Sequence, residues 1–152
     1  MEKKQVSSAL KTLAAVMLCV ALLAGTAAAA ERRAVKAAIA NIRNGAGTNF
    51  NVLWQVEKYH PFLILKKKGN WYEVKDFEGD IAWIHQSLVN KTKTVITIKE
   101  KCNVRAKPTT KSRIVLKVER GVPFKVLGQQ GKWIRIEHAD GETGWIYQTL
   151  VW

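Results

Sequence analysis

Gly131-Lys132-Trp133-Ile134-Arg135-Ile136, then Asp140-Gly141, then Gly144-Trp145-Ile146-Tyr147, reads as a β-hairpin. Side chains alternate with a period of two on both sides of an Asp-Gly pair, a strong short-range hairpin signal. Ile134 and Ile136 share one face, which the pattern makes the inner one, and Trp133 and Arg135 share the other. Upstream, Phe124-Lys125-Val126-Leu127 reads as another strand, followed by a turn at Gly128-Gln129-Gln130-Gly131. Downstream, Tyr147-Gln148-Thr149-Leu150 fits one 3₁₀ turn.

The same unit is written earlier in the chain. With Asn41 laid on Asn103, an offset of 62, the two stretches align without a gap to Val89 on Val151. About a third of the 49 positions are identical, several times what chance provides. The first copy runs Phe62 to Leu65, a turn at Gly69-Asn70, Trp71 to Val74, a turn near Gly79-Asp80, Ile81 to Ile84, and a 3₁₀ turn at His85 to Leu88. Tyr72 and Val74 should face inward there, and Trp71 and Glu73 outward. Trp83 and Trp145 each follow a small residue, Ala82 or Gly144, that lets another strand approach closely. No stretch after residue 30 shows a helical period. Five or so short strands in about 60 residues are too few for a sandwich and suit a small barrel, which hides its edges. Thr94 to Ile98 reads as the first strand of the second barrel. The linker from Asn90 to Ile96 has no Gly or Pro, which points to limited freedom between the barrels.

The start of the chain indicates the compartment. Lys3, Lys4 and Lys11 precede an apolar run from Leu13 to Ala24, and four alanines end at Ala30. A basic region, a short apolar region and small residues at a cleavage site are the marks of a secretory signal peptide. Residues 1–30 are therefore read as signal peptide, with cleavage near Ala28 to Ala30. The alternative is an uncleaved anchor, since Thr12 to Ala30 is 19 uncharged residues. After cleavage no membrane span is expected. The 152-residue chain has a net charge of +13, and 22 basic against 11 acidic residues remain beyond Ala30. Such a charge attracts anionic partners. Export directs it toward an envelope polymer or lipid headgroups rather than nucleic acid, so no nucleic-acid partner is expected.

With these residues in view, both copies resemble bacterial SH3 domains. The family's opening strand is matched by Ala40-Asn41-Ile42-Arg43-Asn44-Gly45 and by Cys102-Asn103-Val104-Arg105-Ala106-Lys107. Its closing pattern is matched by Gly69-Asn70-Trp71, Gly79 and Trp83-Ile84, and by Gly131-Lys132-Trp133, Gly141 and Gly144-Trp145-Ile146. The first copy departs at Ala82, where the family usually has Gly. The second departs at Ala106-Lys107, where a Ser-Gly pair is usual. The resemblance implies an all-β chain of two tandem small SH3-like β-barrels behind a signal-peptide helix, with barrels at 31–92 and 93–152. It implies binding, commonly to peptidoglycan through its peptide stems or bridges, and no residues beyond the two repeats are left for a hydrolase domain.

The residues themselves speak against catalysis. Cys102 shares a strand face with Val104, as a buried core residue would. His60, His85 and His138 align with Val122, Tyr147 and Asp76, so no histidine recurs, and none of them pairs with another at metal-ligand spacing. No catalytic residue, metal or cofactor is expected. The first copy carries extra aromatic residues, Phe50, Trp54, Tyr59 and Phe77, which either bind ligand or plug the barrel end and the interdomain contact. With outward Trp71 and Trp133 they form the candidate binding set.

From Ala37 to Val89 there are 6 basic and 5 acidic residues; from Thr97 to Trp152 there are 11 and 5. Lys107, Lys111, Arg113, Lys117 and Arg120 are the candidate basic face of the second copy. The expectation is an exported, periplasmic or cell-surface protein that binds peptidoglycan or another anionic envelope polymer without catalysis. The alternative is an adaptor that holds an envelope protein in an aromatic groove of the first copy.

Overall fold

Alternation of apolar and polar residues over four to eight positions, broken by glycine turns, produces strands throughout the computed structural model, which describes residues 30–152. The leader and most of its cleavage region lie outside the described residues. The first unit holds β1 (Arg32–Val35), β2 (Ile39–Arg43), β3 (Val52–Glu57), β4 (Pro61–Lys68), β5 (Trp71–Lys75), β6 (Ile81–His85) and β7 (Val89–Asn90). The second holds β8 (Thr94–Ile96), β9 (Cys102–Arg105), β10 (Ile114–Val118), β11 (Pro123–Gln130), β12 (Trp133–Glu137) and β13 (Thr143–Tyr147). Their strand orders are β3-β2-β6-β5-β4-β1-β7 and β10-β9-β13-β12-β11-β8. All neighbours are antiparallel. The 3₁₀ turns stand at Gln86–Leu88 and Gln148–Leu150, where the sequence places them.

The first strand of each unit binds two neighbours. β1 pairs with β4 and with β7. In the second unit β8 pairs with β11, and Ile96 and Trp152 exchange backbone hydrogen bonds of 3.2 and 2.9 Å. β8 bears out the strand read at Thr94. Its counterpart β1 lies in a segment that shows no strand pattern of its own.

Each barrel has one core. Phe62, Ile42 and Ile84 are fully buried in the first, and Phe124, Val104 and Ile146 in the second. Val74 and Ile136 are buried on the expected inner face, with Tyr72 and Ile134 packed against the cores. Cys102 is 1% exposed. Losing a buried Phe ring costs about 3–5 kcal/mol in such a core.

One turn differs from its sequence reading. Gly128-Gln129-Gln130 is not a turn: β11 runs on to Gln130, with a register shift between Val126 and Gly128. The first barrel shifts likewise between Ile64 and Lys66. A bulge absorbs one residue and bends the strand without ending it. The chain reverses only at Gly69 and Gly131, whose φ of 56° and 55° lies in the left-handed region. Gly144 is needed for closeness: a Cβ there would stand 2.5 Å from Val104 Cγ1.

The barrels touch through side chains. The Arg120 guanidinium donates to both carboxylate oxygens of Glu78, at 2.9 and 2.8 Å, and lies 5.4 Å from the Phe77 ring centre. These bonds hold the Glu78 carboxyl below its ordinary pKa. Arg32 stacks over Trp152 at 3.9 Å, and the Tyr59 hydroxyl donates to Glu137 at 3.4 Å.

His60 lies beside this contact, 7% exposed, with its ring centre 4.7 Å from Phe62 and 5.9 Å from Phe77. Burial lowers its pKa to about 4. An unfolded chain takes up that proton near pH 6.5, so the folded state loses stability as the pH falls from about 6.5 toward 4. At pH 5 the loss is about 2 kcal/mol. His60→Val, which installs the residue found at Val122, removes this term. Thermal unfolding at pH 7 and pH 5 should show a smaller drop in Tm for His60→Val than for the unaltered protein. Equal drops would show that His60 does not carry the acid sensitivity.

Candidate functional site

Because inward positions are taken by the core, the outward positions of β2, β5 and β6 build the first barrel's accessible chemistry. Asn41, Arg43, Thr48, Trp71, His85 and Leu88 line a groove of about 360 Å³. Asn103, Arg105, Thr110, Trp133, Tyr147 and Leu150 line a groove of about 530 Å³ on the second barrel. With Ile39 and Lys101, which also line them, the grooves share seven positions at the offset of 62, and five of the seven pairs are identical.

Register explains the aromatic wall. Trp71 pairs directly with His85, and Trp133 with Tyr147, across adjacent strands. Each pair stands edge to face, with ring centres 5.1 and 5.2 Å apart. Ser87 donates to His85 Nδ1 from its backbone N–H at 3.3 Å, and its hydroxyl stands 2.7 Å from the same atom. With Nδ1 the acceptor, the ring proton belongs on Nε2.

The recurring arginine is a brace rather than a ligand-seeking charge. Arg43 Nη1 donates to the carbonyls of Thr48 and Phe50, at 3.2 and 2.7 Å. Arg105 Nη1 donates to the Ser112 carbonyl at 2.7 Å. Each ties down the long loop after its strand, which forms one lip of the groove. What remains to meet a ligand is an indole, a second ring, an amide and hydroxyls. Such a set stacks and hydrogen-bonds.

The aromatic residues singled out from sequence fall into separate places. Trp71 and Trp133 are groove walls. Trp54 and Phe77 line a different cavity of the first barrel. Tyr59 reaches Glu137 across the interdomain contact, with its backbone at φ 74°. Phe50 lies over Gly45 and Gly47 in the long loop, where a Cβ on Gly45 would collide with its ring. Of the basic residues, Lys107, Lys111, Arg113 and Lys117 are exposed on the second barrel. Arg120 is instead engaged with Glu78 and the Ile98 carbonyl. Lys101 and Arg105 line the second groove, whose lip carries Lys107 and Lys111. At the matching loop positions the first barrel has Gly45 and Asn49.

Asn41, Thr48, His85, Leu88 and their counterparts escaped the sequence reading. The signal was present, since Asn, Arg, Thr, Trp and Leu recur at one offset, but recurrence alone does not separate a groove from a core. Cys102 packs in the second core, and burial pushes its thiol pKa up. His60, His85 and His138 occupy three separate sites. No cluster of three potential metal ligands is found among the described residues.

Residues 36–91 and 99–152 match the family model described as bacterial SH3 domain. Among curated proteins, the chain is 26% identical over 122 residues to a putative N-acetylmuramoyl-L-alanine amidase of Bacillus subtilis, covering 73% of this chain and 23% of the relative. It is 42% identical over 52 residues to a probable cell wall amidase of Staphylococcus aureus, covering 34% of this chain and 18% of that one. The chain thus spans about a quarter or less of these relatives' length. Among solved structures, an NlpC/P60 family protein from Bacillus cereus aligns with 80% of this chain and 55% of its own, at 13% identity and a TM-score of 0.38.

The brace is testable. Arg105→Ala should speed amide hydrogen exchange from Ala106 to Arg113 and lower stability by about 1–2 kcal/mol, leaving exchange in the first barrel unchanged. Unaltered exchange in that loop would show that the Arg105–Ser112 bond does not hold it.

Proposed function

We propose that this chain, which belongs to the bacterial SH3 domain family in both of its halves, is a non-enzymatic envelope protein that docks on peptidoglycan through two equivalent grooves. The observation that carries the reading is the repetition of the groove. Elsewhere in the aligned stretch the copies differ at about three positions in four, yet five of the seven shared groove pairs are identical. Arg is explained by its bond to the loop. Asn, Thr and Trp face outward, where the core makes no demand on them.

The chemistry suits a wall polymer. Indole faces pack against sugar rings and peptide backbones, and the Asn and Thr side chains supply directional hydrogen bonds. Peptidoglycan repeats both groups, so two grooves on one chain can engage one polymer at once and gain avidity without a new contact. The names of the amidase relatives support a wall setting. A binding role is supported by the buried thiol of Cys102 and by the dispersal of the histidines. Export, read from the leader, brings the protein to the wall.

Pull-down with protein-free sacculi tests this. The protein should sediment with sacculi. Trp71→Ala and Trp133→Ala should each reduce retention about ten-fold and together abolish it, with each variant's fold checked by circular dichroism. Retention should also fall with added salt, more through the second groove, because exposed lysines are screened beyond about 10 Å at 0.1 M. Undiminished sedimentation of the double variant would overturn the groove assignment. Absence of sacculus binding, with one envelope protein captured by crosslinking, would favour the adaptor reading. Hydrolysis of sacculi by the purified protein, whether or not it survives Cys102→Ser and loss of all three histidines, would overturn the non-enzymatic one.

A further inference from the structure

The first barrel has a second cavity, of about 450 Å³, across Ile39 from its groove. Trp54, Glu57, His60, Asp76, Phe77 and Asp80 line it, and Gly121 of the second barrel closes one side. Three carboxylates and no lysine or arginine line this space, in a chain of net charge +13.

Two of the polar residues are buried, and one of them holds a buried atom without a partner. Asp76 is 7% exposed, and one of its oxygens accepts three backbone N–H bonds, from Glu78, Gly79 and Asp80, each at 2.9 Å. That oxygen is committed to the turn. The other has no hydrogen-bond partner among the described residues but is open to solvent, so it is an available acceptor and not a buried unmet one. His60 is equally buried, and its Nε2 is shut off from solvent with no partner. Buried polar atoms are bonded in the great majority of cases, and an unmet one calls for an explanation. Burial keeps His60 neutral at neutral pH, so it adds no charge to oppose a cation.

The second barrel provides an internal comparison. Its corresponding crevice, about 470 Å³, includes Lys101, Lys117 and Glu119 where the first has Ile39, Gln55 and Glu57. Trp54, His60, Asp76 and Phe77 are replaced there by Leu116, Val122, His138 and Ala139. The barrel therefore folds without this set. Phe77 is accounted for by its contact with Arg120, and His60 packs against Phe77. Trp54 rests partly against the first core, and its remaining face, the open Asp76 oxygen and the flanking Glu57 and Asp80 are left without a role in the fold.

We propose that this cavity binds a primary alkylammonium group, such as the end of a lysine-like side chain. An ammonium head carries three N–H donors on a compact charge. The acceptors come from three places: Glu57 at the end of β3, Asp76 after β5 and Asp80 before β6. The Trp54 indole adds a face suited to a cation, and Ile39 and Val56 suit the alkyl arm. A planar guanidinium matches a single carboxylate edge better than this spread of acceptors. The assignment stands on the cavity's own residues and does not depend on the groove reading.

An NMR titration with Nα-acetyl-lysine N-methylamide tests it, with Nα-acetyl-norleucine N-methylamide as the uncharged control. The lysine probe should give saturable shifts at the Trp54 indole N–H and at the backbone amides of residues 76–80, with none at residues 138–142. The norleucine probe should give none. Trp54→Leu, which copies the second barrel, and Asp80→Asn should each weaken binding about five-fold while the spectrum stays dispersed. Equal response to both probes, shifts confined to either groove, unchanged affinity in both variants, or no saturable response at millimolar probe would overturn the proposal. Sacculus binding by the groove is read separately, through Trp71 and Trp133, so either assignment can fail without the other.

Discussion

A barrel of about sixty residues has room for one layer of inward side chains, and that limit organises the rest of the molecule. Phe62 and Phe124 occupy the two centres at 0% exposure, ringed by β-branched residues. Strand geometry sends alternate residues to opposite faces, so choosing the inward set also chooses the outward one. Asn41 and Arg43 lie outward because Ala40 and Ile42 lie inward. Trp71 lies outward because Val74 belongs to the core. A slip of one residue in either strand would bury the groove and expose the core, so the core pins the groove's register.

Duplication separates what the fold requires from what it permits. Features found in both copies include the central Phe, the reversals at Gly69 and Gly131, and the arginine that braces the loop. Trp54, His60 and Phe77 stand in one copy only. The charges follow the same division. Lys107, Lys111, Arg113 and Lys117 replace Gly45, Asn49, Asn51 and Gln55, which makes one barrel basic while leaving its interior unchanged. One scaffold thus carries a repeated groove and two unlike flanking crevices. In the first barrel the groove and the acidic cavity share the exposed wall of Ile39. In the second, Lys101 holds that position.

Legibility followed the range of the interaction. The hairpins, the inner faces of β5 and β12, the burial of Cys102 and the close approach at Gly144 could all be read locally, because period two and turn chemistry act over a few residues. The bulges in β4 and β11 could not, since a bulge is defined by the partner strand. β1 was hidden because Arg32 and Arg33 carry no strand pattern, and its pairing with β4 and β7 creates the strand. Among the aromatic residues, the outward direction of Trp71 and Trp133 was visible, but the partners that make them a groove wall were not.

The sequence by itself determined that the chain is two copies of one small all-β unit, which residues face each core, and that the excess charge lies mainly on the second copy and its flanks. These are matters of alternation and recurrence, written along the chain. Only the tertiary structure decided that Trp71 meets His85, that Arg120 is bound to Glu78 and leaves the basic face, and that Trp54 joins Asp76 and His60 around one cavity. Arg120 and Glu78 are 42 positions apart, and Trp54 on β3 is separated from Asp76, just after β5, by the whole of β4 and β5. Their meeting depends on barrel closure and on how the barrels dock, and no local pattern encodes either.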